Sequence, residues 1–295
     1  MDLLLQLLWN GIVTGSLIAL VALGLTLIYG VGGFLQFAHG ELVAVGAYSF
    51  MVSHKYWGWP VVPALLLTLG VTLLVGLLIE RVFFRPLRDR DALIPLVVSI
   101  GLSIGIQALI LIGFGAGILT ISDGAAPNMA LLSGHLLATP VQIIALVTSL
   151  LLMLGLQSFL TYTRPGKMLR AVSSNRSLAS MFGLSADSAM RWIFGIGTVL
   201  AAVAGVFLGY EQNLEPTMGV QIGIMAFAAL ILGAVGSVPG AIVGAYIIGI
   251  LQSLLVGYGV IPSGFTAAIP FVVLILMLLV KPAGLFGTRF TAIRH

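Results

Sequence analysis

Positive charge is scarce in this chain and clustered, and its placement limits the possible folds more than any motif does. Of 13 Lys and Arg residues, four lie in 81–90, five in 164–191 and three in 281–294, and only Lys55 stands elsewhere. Long apolar runs separate the clusters. Charged residues make up 7% of the sequence, against about 25% in a soluble domain, too few to cover a water-facing surface of ordinary size. Apolar runs of about 20 residues cross the bilayer core as helices. The chain reads as an all-α integral membrane protein, a polytopic helical bundle.

Nine segments qualify as spans: 3–29, 41–53, 61–80, 93–119, 140–162, 192–210, 221–235, 241–257 and 265–281. The second and seventh are short enough to be broken or re-entrant. Short loops rich in Lys and Arg stay cytoplasmic, so the three basic clusters mark the inner face. Parity then puts the N-terminus outside the cytoplasm and the C-terminus inside it, with eight to nine spans. Met1-Asp2-Leu3 lacks the basic start of a cleaved signal peptide, so the first apolar segment is expected to stay as a span. The net charge of +4 reports topology in this setting and implies no nucleic-acid partner. The outer loops, 121–139 with Asp123, Asn128 and His135 and 211–219 with Glu211 and Glu215, offer a docking surface but no independent domain.

Three stretches stand out. Gly30 to Glu41 places His39, Gly40 and Glu41 between two apolar segments, and ionisable groups at membrane depth are costly and mark pathways or joints. One reading makes Glu41 a first-turn carboxylate that complements the helix dipole and caps free amides, with His39 bonded to it or to a backbone carbonyl. The other gives it direct contact with a transported solute. The second stretch, 167–182, lacks proline and is expected to form one helix with Gly183 as its C-cap. Leu178, Met181 and Phe182 make a narrow apolar ridge on it, suited to a groove on a partner protein. The alternative is an amphipathic helix lying on the inner leaflet. The third, 233–246, breaks at Pro239-Gly240 and presents Gly240 and Gly244 as a small-residue packing face. Val45 to Tyr48 recurs as Val243 to Tyr246, a match that a Gly/Ala-rich chain produces by chance.

The full sequence contains no phosphate-binding loop, no His-Glu-x-x-His and no Gly-x-Ser-x-Gly, and no cysteine. No catalytic residue, metal ligand or cofactor site is expected. Energy for any transport is expected to come from elsewhere.

Several stretches together resemble a known family: 22–30, Phe37-Ala38-His39-Gly40-Glu41, Glu80-Arg81 with Arg85-Pro86-Leu87-Arg88, 166–183, 233–244 and Lys281-Pro282-Ala283-Gly284-Leu285-Phe286-Gly287. In that order and over the whole length, the chain resembles a permease subunit of the branched-chain amino acid type of ABC importer. The resemblance implies one transmembrane permease domain over 1–295 in a bacterial inner membrane. It also implies a second permease of similar fold, two cytoplasmic ATP-binding subunits and an extracytoplasmic solute-binding protein. Residues 163–191 are then a cytoplasmic loop carrying an ATPase-coupling helix, with Arg164, Lys167, Arg170, Arg176, Leu178, Met181, Phe182 and Gly183 as its contact candidates. The loop class shows Glu-Ala-Ala-x-x-x-Gly; here Ser177-Leu178-Ala179 and Gly183 keep the helix and glycine without the carboxylate. His39, Gly40, Glu41, Asn10 and Gln107 are candidates for the joint or the translocation path. The family also includes importers of urea and short amides. A self-sufficient secondary transporter or channel, which needs coupling-ion ligands or a polar pore in one chain, is the alternative of another class.

Overall fold

The computed structural model describes residues 2–88, 90–121, 129–131 and 136–287. Asp89, Asp123, Asn128, His135, Arg289, Arg294 and His295 lie outside the described residues.

Eleven α-helices follow one another among the described residues: α1 (Asp2–Gly32), α2 (His39–Met51), α3 (Val61–Ile79), α4 (Leu93–Phe114), α5 (Pro140–Tyr162), α6 (Arg164–Ser174), α7 (Arg176–Met181), α8 (Ala186–Glu211), α9 (Met218–Gly233), α10 (Val238–Gly257) and α11 (Ala268–Val280). A two-stranded antiparallel hairpin, β1 (Met129–Leu131) and β2 (Leu136–Ala138), pairs Ala130 with Leu137. Six helical stretches are long and apolar enough to cross a membrane among the described residues, while α9 and α11 are shorter apolar helices. Helices prevail because lipid offers no partner to an open backbone group. Thr26, Thr68, Thr72 and Thr198 follow the same rule, each hydroxyl donating to the carbonyl four residues earlier.

Two helices form the centre. The most apolar window of α1 is 89% buried and that of α8 is 72%, against 17% for α4. Small residues let these backbones approach. A methyl group added at Gly249 of α10 would sit 2.6 Å from the carbonyl oxygen of Gly11 and the Cα of Gly15 in α1. Gly46 of α2 meets Ala202 of α8 in the same way. In a bilayer, where hydrophobicity does not drive helices together, such close approach supplies the packing energy. The four-residue echo has no common role: Gly46 faces α8, whereas Gly244 faces Ala229 of α9.

Contacts define the two ends of the bundle. At one, called the basic end here, Arg88 is buried between Glu80 and Asp187, and Arg85 reaches Asp187 at 3.4 Å. Phe34 stacks on Phe84 at 5.0 Å, and Phe84 meets Phe194 at 5.6 Å. At the opposite end Lys55 donates to the carbonyl of Thr120, Gln142 to Glu211, and Leu119 pairs with Leu214.

Several boundaries differ from the sequence reading. The fourth span ends at Phe114 and not Leu119, because Gly115 takes φ +81° and stops the helix. The sixth begins at Ala186, where the Ser185 hydroxyl accepts from the Ser188 amide. The second continues through a π-helical turn, Val52–Tyr56. The helix expected over 167–182 is two helices. Asn175 breaks it with an extended backbone, and its side chain then caps α7 by accepting from the Leu178 amide at 2.9 Å.

The Glu80–Arg88–Asp187 cluster gives a direct test. Breaking a buried pair by removing one partner costs about 3–5 kcal/mol. Arg88→Ala, which strands the Glu80 carboxylate, is expected to lower stability by about that amount, read as a drop in the thermal midpoint of the purified protein. An unchanged midpoint contradicts the buried cluster.

Candidate functional site

The joint between α1 and α2 is held inside the bundle. Gly33, at φ +71°, turns the chain after α1. Residues 34–38 then run back along the helices until α2 starts at His39. The start of α2 lies beside Gly24 of α1, Gly197 of α8 and Ser103 of α4. At 1.5 Å rise per residue these positions are about 12–17 Å from the basic end of their helices. That places the start of α2 near the middle of a hydrocarbon core about 30 Å thick.

α9 starts at the same depth from the other direction. Gly219, in its first turn, lies against Glu41, and a methyl group there would be 2.9 Å from the Glu41 Cα. Gly40 in turn packs on Gly219 and on Gly223, whose backbone a methyl at Gly40 would approach to 2.9 Å. The starts of two oppositely directed helices therefore overlap around one carboxylate. Each helix N-terminus carries partial positive charge, which is the field an acid needs where water is scarce.

Glu41 is fully buried, and one of its oxygens accepts from the Ser103 hydroxyl at 2.9 Å. It does not cap α2. The amides of His39, Gly40 and Glu41 instead donate to the carbonyls of Gln36, Phe37 and Ala38 at 3.2–3.4 Å, and the Phe37 amide donates to the Ser99 hydroxyl at 3.1 Å. This tight turn satisfies these three amides without the Glu41 carboxylate. His39 does not bond Glu41 either. Its ring sits between Gly24 and Gly197 with neither nitrogen bonded to the described residues.

Unpaired polar atoms gather here: both side-chain polar atoms of Gln36, both ring nitrogens of His39, the second Glu41 oxygen and the Tyr48 hydroxyl. Leaving a buried group unsatisfied costs about 1–3 kcal/mol each, and these atoms fall within 13 residues, 36–48.

Beside this centre, toward the opposite end, is a cavity of about 590 Å³. Gln107 and Ile104 of α4 line it with Glu215, Pro216 and Thr217 of the segment entering α9. Leu111 and Ile118 give it aliphatic walls. Gln107 was legible as a lone polar residue in a span. In the sequence Glu215 reads only as part of an outer loop, because the cavity it shares with Gln107 joins residues far apart in the chain.

Of the other candidates, Asn10 is not brought to the centre: it accepts from Gln6 at 3.3 Å near the opposite end. The coupling candidates gather at the basic end. Arg164 opens α6, Lys167 lies on it, and Arg170 reaches the Thr161 carbonyl at 3.3 Å. Leu169 and Val172 are buried and Gly166 packs on the Leu160 backbone, so α6 is fastened to the bundle. Arg176 lines a small cavity with Arg88 and Phe34. Leu178, Met181 and Phe182 project outward, 53%, 78% and 82% exposed. Gly183 follows with φ +76°.

Helices that start at mid-membrane depth around a carboxylate, within a bundle of this many apolar helices, define a polytopic membrane transport protein. The family described as branched-chain amino acid transport system / permease component matches residues 7–279, and the chain belongs to it. It is 35% identical to the high-affinity branched-chain amino acid transport system permease protein LivH of Escherichia coli K12, over 96% of this chain and 95% of that one. It is 34% identical to the corresponding permease BraD of Pseudomonas aeruginosa, with the same coverage. In fold it is similar to PsaBC from Streptococcus pneumoniae in complex with Fab, with a TM-score of 0.52 at 13% identity, covering 93% of this chain and 91% of that one.

Glu41→Gln separates a structural carboxylate from a working one. The amide keeps an acceptor for Ser103 and removes the charge. Normal insertion and thermal stability are expected, with solute uptake reduced at least about tenfold, a barrier change of ~1.4 kcal/mol. Wild-type uptake would return Glu41 to a purely structural role.

Proposed function

We propose that this chain is the membrane-spanning permease subunit of a binding-protein-dependent ABC importer and carries branched-chain amino acids across a bacterial inner membrane. Similarity to LivH and BraD over nearly the whole of each chain carries the reading. The solute's path runs through the cavity at Gln107 and Glu215 to the centre at Glu41. That route has the chemistry a zwitterion with an aliphatic side chain requires. Carboxylates at Glu215 and Glu41 suit the ammonium, helix starts suit the carboxylate, and Leu111 and Ile118 suit the branched side chain. His39 and Gly40 hold the joint, and Asn10 has no part in it.

The topology has nine crossings, three of them made by the short helices α2, α9 and α11, with the N-terminus outside and the basic end in the cytoplasm. The single permease domain pairs with a second permease of similar fold. Two ATP-binding subunits dock at the basic end, a solute-binding protein docks at the other, and ATP is hydrolysed by those subunits and not by this chain. Residues 163–191 form the coupling loop: α6 is the fastened base and the ridge Leu178, Met181 and Phe182 on α7 is the surface that an ATP-binding subunit receives. Arg164, Lys167, Arg170 and Arg176 give its surroundings positive charge, and Gly183 ends the element.

Leu178→Arg or Phe182→Arg, each placing a charge on that ridge, is expected to abolish uptake of labelled leucine by the reconstituted importer while the protein still inserts and folds. Wild-type uptake by either variant overturns the coupling assignment. Competition by isoleucine and valine, without competition by urea, is the expected specificity. Preferential uptake of urea overturns the substrate class and leaves the coupling assignment standing.

A further inference from the structure

A groove of about 630 Å³, sharing no lining residue with the cavity at Gln107 and Glu215, runs between α3 and α5 over the surface of α8. Gly155 and Gly195 open its floor, and Leu77 and Leu151 contribute to its walls. Added atoms at Gly155 would meet nothing within 4 Å. From Arg191 to Leu200 the lining spans about 14 Å at 1.5 Å per residue, close to half of a hydrocarbon core about 30 Å thick. The groove is therefore one leaflet deep.

Its hydrogen-bonding side chains sit at one end. Arg191 and Trp192 stand at the basic end with Ser188, whose hydroxyl accepts from Arg191 at 3.2 Å. Asp187, the nearest carboxylate in sequence, is engaged by Arg85 and Arg88. Trp192 is half exposed and meets Phe159 at 6.0 Å, an aromatic of the kind that anchors at the headgroup level. A zwitterionic solute needs both signs of charge along its route, and this groove offers a cation at one end and hydrocarbon along the rest. A phospholipid with an anionic headgroup has that distribution, and basic pockets between helices on the cytoplasmic side take such headgroups.

We propose that the α3–α5–α8 groove is a specific site for one acyl chain of an anionic glycerophospholipid whose phosphate lies against Arg191. The leaflet occupied, the inner one, rests on the topology proposed above; the site and its lipid class do not.

Native mass spectrometry of the full chain in its assembled importer, titrated with phosphatidylglycerol or phosphatidylcholine, tests this. One interfacial cation near the surface is worth about fivefold in affinity for an anionic lipid. Wild type is expected to retain phosphatidylglycerol about fivefold better than phosphatidylcholine, and Arg191→Ala to bring the two to parity. Gly155→Leu, whose added Cβ meets nothing within 4 Å, is expected to lower retention of both lipids. Unchanged retention in both variants overturns the site. Because the chain has no native cysteine, Gly155→Cys introduces a unique thiol. Cross-linking of that thiol to a partner permease, and not to a photoactivatable acyl chain, shows a protein-covered face and also overturns the proposal.

Discussion

Two helices that start inside hydrocarbon set the terms for everything around them. A helix start exposes free amides, and the bilayer core supplies no water to satisfy them. At α2 the turn of Gln36, Phe37 and Ala38 supplies the carbonyls, and Ser99 on α4 holds the turn in place. That solution demands close approach. His39 fits only because Gly24 and Gly197 carry no side chain, and Glu41 only because Gly219 carries none. Gly24, Gly197 and Gly219 are the means by which a polar joint is packed at mid-membrane depth.

The joint is physically continuous with the basic end. Phe34, which precedes that turn, stacks on Phe84, which packs on Phe194 and ends the π-helical turn that begins with Glu80. Glu80 holds Arg88, Arg88 holds Asp187 in the first turn of α8, and Phe34, Arg88 and Arg176 line one cavity. These contacts run from the cavity that Arg176, the first residue of α7, lines to Phe34, five residues before the helix that carries Glu41.

Much of this was legible in the sequence, and the part that was not has a common cause. The apolar runs located the long helices of the bundle, because lipid imposes a minimum length on a helix that crosses it. The exposed ridge of Leu178, Met181 and Phe182 and the Gly183 terminus followed from helical spacing. What failed depended on partners distant in sequence or on one backbone angle. Nothing local to Glu41 announces Ser103, 62 residues on, and so capping was the natural reading. Arg88 resembled any other loop cation until Glu80 and Asp187 enclosed it. Asn175 looked like a tolerable helix residue, yet its side chain caps the following helix better than its backbone continues the preceding one. Glu215 and Thr217 share a cavity with Gln107, a residue far away in sequence, and local hydropathy carries no sign of that.

The claim on which the rest stands is that Glu41 is buried at mid-membrane depth and bonded to Ser103. A double-mutant cycle measures this bond without assuming any function: thermal or denaturant stability of the purified protein, of Glu41→Ala, of Ser103→Ala and of the double variant. Hydrogen bonds to charged groups are worth about 1.5–3 kcal/mol, and residues in contact couple where distant ones add within about 0.5 kcal/mol. A coupling energy above ~1 kcal/mol is expected. Simple additivity of the two substitutions would contradict the placement of Glu41 at the meeting point of α2, α4 and α9.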